Sequence, residues 1–291
     1  MAGRLRHLLA ETVPPRYLTD VYNSYDIVGD IAVIRLTDAS ASFSVEIANA
    51  VMEVHKNVKT VLGQRDAVHG DFRLRKLDFI KGENRTTTVH KEWNCLFSVD
   101  LKNCYFSPRL SFERMRIAKQ VKDGETMLNM FAGVGCFSVV TARYSNVGKV
   151  YSVDINPCAV AFMAKNVRMN RVVERVFPIL ADAKTVAQTS LHRMVNRVLM
   201  PLPERAFEYL PFALLALKNK EGWIHYYDSE YGRKKEDAVQ KVVLKVSEKL
   251  QRLQVSYDFS FVRTVRSTAP NWYQVVLDID VRDCGEMASN D

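Results

Sequence analysis

The sequence predicts an α/β protein that consists of a small α+β domain followed by a larger domain with a mainly parallel sheet. Three observations support this architecture. In the second half of the chain, short apolar runs alternate with helical patterns, as in repeated βαβ units. A glycine-rich turn follows the first of these runs. The last two strand-like stretches alternate apolar with polar residues, which is typical of an antiparallel hairpin.

The composition is that of a folded protein with an excess of positive charge. Of the 291 residues, 47% are hydrophobic and 25% are charged, which excludes a largely disordered chain and a peptide-sized binding module. The net charge of +8 favours a polyanionic partner. We expect a cytoplasmic protein with no membrane partner, because no apolar run is long enough to cross a bilayer and no cleavable leader is evident. The five cysteines form no C-x-x-C pair, so neither a disulfide framework nor a zinc site is expected.

The first 106 residues are divided here into a tail and a small domain. Residues 1–15 are basic and end in two prolines, so we expect a tail. Residues 16–106 form the α+β domain. Within it, the run DIVGDIAVIRL (26–36) predicts two strands around a Gly29-Asp30 turn, and apolar residues at helical spacing predict a helix over 43–54.

Residues 107–291 are predicted to form the parallel-sheet domain. Its strand-like runs are Met127–Met130, Val150–Val153, Val176–Leu180, Val198–Met200 and Trp223–Tyr227. A helix with one apolar face is expected from Asp237 to Leu253. The run from Trp272 to Val281 can then pair back on the strand that begins at Val255, across a loop at 268–271.

The glycine turn Met-Phe-Ala-Gly-Val-Gly links the first parallel strand to the helix over 137–143. Gly133 and Gly135 allow close approach of a ligand to the backbone, and the start of the helix presents unpaired N–H groups. A nucleotide-like cofactor is therefore expected there. Ser138 stands where a dinucleotide fingerprint would have a third glycine, which argues against NAD.

Two aspartates end the next two strands. Asp154 and Asp182 are expected at the same edge of the sheet, where one carboxylate can bind ribose hydroxyls and the other an adenine amino group. The alternative is that each aspartate caps the helix that follows it. At the fourth strand end, the Met-Pro-Leu-Pro-Glu run (200–204) could line a flat base or could be a simple strand-to-helix turn.

The segment over 105–117 concentrates charge just before the parallel sheet. Arg109, Arg114 and Arg116 surround the single carboxylate of Glu113, and Tyr105 stands at the start of the segment. Arginines suit phosphates or stacked bases, and a lone carboxylate among cations can accept a proton. The alternative is a solvated helix with surface ion pairs.

These motifs resemble those of the archaeal and eukaryotic tRNA (guanine-N1)-methyltransferases, which act on guanine 37, just 3′ of the anticodon. The resemblance runs from about Asp26 to Val281 and rests on FRLRKLDFIKGEN, YFSPRLSFERMRIA, MFAGVGCFS, VDINPCAV, ILAD and RVLMPLPE. The FSPRLxxER block is its most specific element. The resemblance implies a class I (Rossmann-like) methyltransferase domain after an α+β RNA-recognition domain, with tRNA as partner, in a monomer.

The resemblance also implies site residues. S-adenosylmethionine would be bound by Arg109, Asn129, Phe131, Gly133, Gly135, Asp154, Ile155, Asn156, Asp182 and Ala183. The target nucleotide would contact Tyr105, Arg114, Pro201, Leu202 and Pro203. Glu113 would be the general base, because guanine N1 carries a proton that must leave during methyl transfer. Arg73 would stabilise the negative charge that develops on O6.

The sequence departs from the family pattern in two respects, and two alternative functions remain. Pro201 stands where the family often has an asparagine, so a side-chain contact to the base is lost there. The N-terminal domain that touches the tRNA elbow in many archaeal members is not expected here. An enzyme of wybutosine synthesis, which methylates a tricyclic guanine intermediate or transfers an aminocarboxypropyl group, is the first alternative. A non-catalytic tRNA-binding protein is the second, and the presence of Glu113, Arg73 and both aspartates argues against it.

Overall fold

The computed structural model describes residues 7–22, 24–66, 70 and 72–283. The first domain has a four-stranded sheet in the order β1-β2-β3-β4, with helices against one face. Its strands are β1 (Asp26–Val28), β2 (Ile31–Arg35), β3 (Thr60–Gln64) and β4 (Leu77–Gly82). Residues 7–10 are helical, and they are followed by α1 (Pro15–Leu18), α2 (Asp38–Ala41) and α3 (Ser44–Val54). The predicted hairpin at Gly29-Asp30 and the predicted helix over 43–54 are both present.

The predicted basic tail differs from the structure. Residues 1–6 lie outside the described residues. Leu9 and Val13, however, are buried in the first domain's core, where they belong to the same apolar cluster as Ile47 and Val51 of α3. This part of the chain is packed because the side chains of Leu9 and Val13, four residues apart, face the same core.

The second domain contains a seven-stranded sheet in the order β12-β13-β11-β10-β7-β8-β9. Its strands are β7 (Thr126–Asn129), β8 (Lys149–Asp154), β9 (Val176–Leu180), β10 (Arg197–Met200), β11 (Gly222–Tyr231), β12 (Ser256–Ala269) and β13 (Trp272–Asp283). The helices are α4 (Ser111–Ala118), α5 (Cys136–Tyr144), α6 (Pro157–Met169), α7 (Ala183–Gln188), α8 (Pro203–Ala216) and α9 (Lys235–Arg252). These elements confirm the predicted fold class.

The sheet has one topological switch point and one antiparallel edge. Strands β7, β8, β9, β10 and β11 are parallel, and the chain reverses its direction of travel across the sheet between β7 and β10. Ligands bind at such a switch point, at the carboxyl ends of the strands. The antiparallel strand β13 lies between β11 and β12, so the terminal hairpin extends the sheet on the side of β11.

Buried side chains from both faces of the sheet hold the helices in place. The predicted apolar face of α9 is confirmed, since Val242, Val246 and Leu250 are fully buried. Each such side chain contributes roughly 1.5–3 kcal/mol of burial free energy. Pro178 is tolerated in β9 because this strand forms the other edge of the sheet, where a missing N–H costs little.

A two-stranded ribbon joins the domains. Strands β5 (Thr87–Glu92) and β6 (Cys95–Asp100) pair with each other. Two asparagines, one in α6 and one directly after it, bind the backbone of β6. Asn166 accepts from the Ser98 N–H at 2.7 Å, and Asn170 accepts from the Leu96 N–H at 2.8 Å. On the other side, Thr88 donates to Asp30 of the first domain at 2.7 Å. Because the ribbon contacts both domains, the boundary at residue 106 stays a prediction.

Candidate active site

The glycine turn is built by two residues in left-handed backbone conformations. Gly133 has φ 56° and Gly135 has φ 88°, at the start of α5. A Cβ on Gly135 would lie 2.8 Å from Met163 Cγ of α6, so a side chain at this position would disturb the packing of α5 on α6. The turn therefore requires glycine for its backbone shape and for close helix packing.

A cavity of about 420 Å³ lies beside this turn, at the carboxyl ends of β8, β9 and β10. We call it the cofactor cavity. It is lined by Phe72, Arg73, Tyr105, Met130, Phe131, Gly133, Asp154, Ile155, Asn156, Ala159, Asp182, Ala183, Lys184, Pro201, Leu202, Arg205, Glu208 and Tyr209. The structure thus brings together, in one wall, most of the residues that were predicted from separate strand ends.

Asp154 and Asp182 line the cavity and also hold the local backbone. Asp154 accepts from the Gly133 N–H at 2.6 Å and from the Asn156 N–H at 2.9 Å. Burial raises the pKa of Asp154 above its usual value. Asp182 accepts from the Lys184 N–H at 2.8 Å, as the helix-capping alternative predicted.

Tyr209 is a cavity residue that sequence reasoning missed. Its hydroxyl donates to Asp182 at 3.0 Å, and burial together with this carboxylate raises the pKa of Tyr209 to about 12. The tyrosine lies two turns into α8, and no motif marks it. Helical spacing from the Met-Pro-Leu-Pro-Glu run is the one signal that could have placed it on the cavity side.

A second cavity of about 240 Å³ adjoins the first, because Arg73 and Tyr105 line both. We call it the arginine cavity. Its other lining residues are Ser24, Tyr25, Asp26, Val33, Arg35, Gln64, Arg75, Ser107, Arg109, Arg266, Ser267 and Thr268. Its walls come from the first domain, from the segment before α4 and from the terminal hairpin. Among the described residues, five arginines and one carboxylate, that of Asp26, line this cavity, which therefore suits an anion.

Arg73 and Tyr105 form the wall between the two cavities. The Arg73 guanidinium lies 4.3 Å from the centre of the Tyr105 ring, and it pairs with Glu204 at 3.0 Å. Burial would raise the pKa of Tyr105, but Arg73 and Arg266 outweigh this effect and hold it below the usual value. A planar group placed against Tyr105 would therefore meet a cation directly.

Glu113 is buried in the structure and lines neither cavity. Its side chain is 2% exposed, and its carboxylate accepts from Arg116 Nε at 2.9 Å, the Tyr227 hydroxyl at 2.9 Å and Arg263 at 2.7 Å. Burial and the Glu113 carboxylate hold the pKa of Tyr227 well above its usual value, so this hydroxyl remains a donor. The base role of Glu113 stays a prediction that requires one of these partners to move.

Behind Glu113, charged and polar groups form a continuous buried chain. Arg116 binds Asp278 at 3.2 Å, Asp278 binds His225 at 2.6 Å, and His225 lies 2.7 Å from Arg197. Arg197 in turn binds Glu125 at 2.7 Å. Burial disfavours an ionised Asp278, but the bonds from His225 and Arg116 hold the pKa of Asp278 well below its usual range. This chain fixes Arg116, and through it Glu113.

Arg114 and Arg109 lie elsewhere than predicted. Arg114, predicted to contact the target nucleotide, is buried and binds Glu92 at 2.6 Å and the Ser107 carbonyl at 2.8 Å. Arg114 and Glu92 form a structural ion pair, because α4 directs the Arg114 side chain toward the β5–β6 ribbon. Arg109, predicted to bind the cofactor, lines the arginine cavity and binds Asp26 at 2.8 Å.

Three other predicted residues lie outside the wall of the cofactor cavity. Asn129 is fully buried and donates to Ser138 at 3.1 Å, because the last residue of β7 points into the core. Gly135 shapes the turn from behind, against Met163. Pro203 is buried as the first residue of α8, where its fixed φ suits a helix start.

Arg266 and Asp26 were not predicted as site residues. Arg266 donates to Ser107 at 3.0 Å, so the hairpin reaches the segment before α4. Asp26 pairs with Arg75 at 3.1 Å as well as with Arg109. Arg266 lies in no motif that was singled out, and Asp26 was considered only as the first residue of the predicted hairpin. The tertiary fold brings these two segments together. Across the described ranges, His, Cys, Asp and Glu form no group of three or more that could hold a metal ion, and no helix could span a bilayer.

The strand order, the antiparallel β13 and the cavity beside the glycine turn define the class I methyltransferase fold. Comparison with family models supports this class directly. The TRM5/TYW2 methyltransferase domain matches residues 88–256, and the TYW2 N-terminal domain matches residues 5–86. The chain belongs to the TRM5/TYW2 methyltransferase family.

Relatives from archaea cover nearly all of this chain. The tRNA (guanine(37)-N(1))-methyltransferase Trm5b of Pyrococcus abyssi is 35% identical over 92% of this chain and 78% of its own length. The tRNA 4-demethylwyosine(37)-methyltransferase Taw21 of Saccharolobus solfataricus is 37% identical over 89% of this chain and 94% of its own length. The solved complex of aTrm5 with tRNALeu has a TM-score of 0.83 at 32% identity, over 97% of this chain and 79% of that one.

Proposed function

We propose that this protein transfers a methyl group from S-adenosylmethionine to N1 of guanine 37 in tRNA. The observation that carries the proposal is the pair of adjoining cavities that share Arg73 and Tyr105. One cavity suits a nucleoside and the other an anionic backbone. The Trm5b relative and the tRNA complex of a Trm5 support the same reaction and the same substrate.

The residues of the cofactor cavity fit S-adenosylmethionine. Each oxygen of the Asp154 carboxylate accepts one backbone N–H and retains a further acceptor site, as the two hydroxyls of a ribose require. Phe131, Ile155 and Leu202 supply apolar surface for a purine. Ile155 is 45% exposed, an apolar area that a bound adenine would cover. When it is bound, S-adenosylmethionine supplies an electrophilic methyl group on its sulfonium.

The chain's own residues would handle the charge and the proton of guanine. Arg73 would donate to O6 and stabilise the negative charge that develops there, while Tyr105 provides a face for the base. Glu113 would accept the N1 proton. Arg263, which is 38% exposed, covers the Glu113 carboxylate, and a phosphate of the RNA would compete for it. Binding of tRNA would thereby free one oxygen of the Glu113 carboxylate to accept the proton from guanine N1.

The proposal extends to how the protein binds tRNA, to its oligomeric state and to its location. The protein would bind tRNA through the arginine cavity. It would act as a monomer in the cytoplasm.

The direct test is mass spectrometry of nucleosides from a tRNA transcript incubated with the protein and S-adenosylmethionine. The expected product is 1-methylguanosine from a guanine-37 transcript and none from the matched adenine-37 transcript. A methyl group on another nucleoside would contradict the assignment. Absence of any product with both transcripts would favour the tRNA-binding alternative.

Methylation of 4-demethylwyosine at position 37 is the second candidate. Two observations favour it. The match to Taw21 covers 94% of that relative. Pro201, which lines the cofactor cavity, offers the target base no side-chain hydrogen bond. A tRNA that carries the tricyclic base, offered beside the guanine-37 transcript, distinguishes the two. A larger kcat/KM on the tricyclic substrate would assign this function, and aminocarboxypropyl transfer would show as a heavier adduct.

A further inference from the structure

Two cysteines that are far apart in sequence meet beside the cofactor cavity. Cys104 lies in the turn after β6, and Cys158 lies in the first turn of α6. Their Sγ atoms are 3.6 Å apart, across a loop of 54 residues, and both are free thiols. The sequence predicted no disulfide framework, because the five cysteines are widely spaced and form no recognisable pair.

We propose that Cys104 and Cys158 form a site of reversible covalent modification, which closes to a disulfide in the presence of a low-molecular-weight disulfide such as oxidised glutathione. The inference does not depend on the proposed function. It rests on the position of the two sulfurs, on the backbone tie beside them and on the partial exposure of one of them.

The backbone segments that carry the two cysteines are already held together. Asn156 Nδ2 donates to the Asn103 carbonyl at 2.8 Å, so the residue before Cys104 is in direct contact with the residue two before Cys158. Asn156 also caps α6 by accepting from the Cys158 N–H at 3.0 Å. Bond formation at about 2.05 Å therefore requires side-chain rotation and a small approach, not a rearrangement of either segment.

The exposure of the thiols sets the order of the steps. Cys158 is partly exposed, whereas Cys104 is buried. Burial and the neighbouring thiol raise the pKa of Cys104, so the reaction begins at Cys158 and is slow. The Cys158 thiolate attacks one sulfur of oxidised glutathione and releases one glutathione thiolate. The deprotonated Cys104 then attacks Cys158 Sγ and releases the second.

The two exchanges balance. Two protein thiols lose two electrons and two protons, and one oxidised glutathione becomes two reduced glutathiones. The new bond ties the segment that carries Tyr105 to the start of α6, next to Ile155 and Asn156. Neither cysteine lines the cofactor cavity, so we expect a covalent staple that leaves the cavity open.

The test uses the full chain, oxidised with glutathione disulfide and compared with protein kept reduced by a phosphine. Non-reducing digestion and mass spectrometry should find one peptide that links residues 104 and 158. Thiol titration under denaturing conditions should fall from five to three. The melting temperature should rise by roughly 5 to 15 °C and return on reduction. The affinity for S-adenosylmethionine should stay within about twofold.

Variants separate this pair from the other thiols. Cys104→Ser should form no internal bond and stop at a glutathione adduct on Cys158, without the rise in melting temperature. The control Cys284→Ser should lose two thiols on oxidation and show the full rise. Five titratable thiols after oxidation, a stable adduct on wild-type Cys158, or a link between any other pair would overturn the proposal.

Discussion

Glu113, Asp154 and Arg73 show what single residues contribute to this site. Asp154 is positioned to bind the cofactor before any substrate arrives, because two backbone N–H groups fix its carboxylate in the cavity wall. Arg73 is held against Tyr105 and Glu204. Glu113 is the opposite case, since two arginines and a tyrosine occupy its carboxylate. Its proposed use as a base therefore depends on substrate binding, whereas cofactor binding does not.

We expect Glu113→Gln to lower the single-turnover rate on tRNA by about 100-fold or more, because the amide cannot take the N1 proton. Cofactor affinity should change little. Glu92→Gln is the matched control, because Glu92 is also a buried carboxylate that pairs with an arginine, Arg114, but it lies outside the proposed chemistry. An unchanged rate in Glu113→Gln, or an equal loss in Glu92→Gln, would remove Glu113 from the base role.

Asp154→Ala should weaken S-adenosylmethionine binding by about 10- to 100-fold, the loss expected for hydrogen bonds to a charged acceptor. Isothermal titration calorimetry measures this directly. Asp258→Ala, which removes an exposed carboxylate of β12, should leave the affinity unchanged. Identical affinities for Asp154→Ala and the wild type would refute the ribose assignment.

At the scale of elements, the structure shows which parts of the site a sequence can reveal. Strand ends at one edge of a parallel sheet must converge, so Asp154, Asp182 and Pro201 were predicted to be neighbours and are. The charged segment before the parallel sheet, residues 105–117, was harder to predict, because helical spacing does not show which neighbour covers each face. Arg114 consequently proved to be a buried ion pair. The sequence could not predict the position of Arg266, because this position depends on how the hairpin β12–β13 packs against the segment before α4.

The buried chain behind Glu113 predicts how stability depends on pH. Burial lowers the pKa of His225, so the unfolded state takes up its proton first and stability falls as pH drops below about 6.5. The low pKa of Asp278 adds a second loss below about pH 4, as this carboxylate is protonated more readily in the unfolded state. The guanidinium groups of Arg197 and Arg116 face the same pair.

Urea unfolding between pH 7.5 and 5.5 tests the first of these losses. The free energy of unfolding should decrease across this range in the wild type, and the decrease should be smaller in His225→Gln. It should not vanish, because burial also lowers the pKa of His90. An equal decrease in both proteins would show that His225 does not titrate on unfolding.

For the whole molecule, the arrangement of charge predicts how tRNA is held. The arginine cavity takes its walls from both domains, and the chain has a net charge of +8. Phosphate contacts release counterions, so the logarithm of the binding constant should fall linearly and steeply with the logarithm of salt concentration. Neither domain alone forms this cavity. A bound tRNA should therefore also hold the two domains together.

Arg35→Ala measures one such phosphate contact. It should reduce the magnitude of the salt slope by about 0.7 to 0.9, the value for one phosphate. Arg252→Ala is the control, because this exposed arginine lies at the end of α9 and lines neither cavity. A flat salt dependence in the wild type, or equal slopes in wild type and Arg35→Ala, would contradict the proposed contact.

The most direct measurement is a structure of the protein bound to a guanine-37 transcript and S-adenosylhomocysteine. Our account predicts the target guanine against Tyr105, with O6 at Arg73 and N1 within roughly 3.2 Å of a Glu113 oxygen that Arg263 has released. A guanine bound there while Glu113 keeps its bonds to Arg116, Tyr227 and Arg263 would contradict the catalytic account.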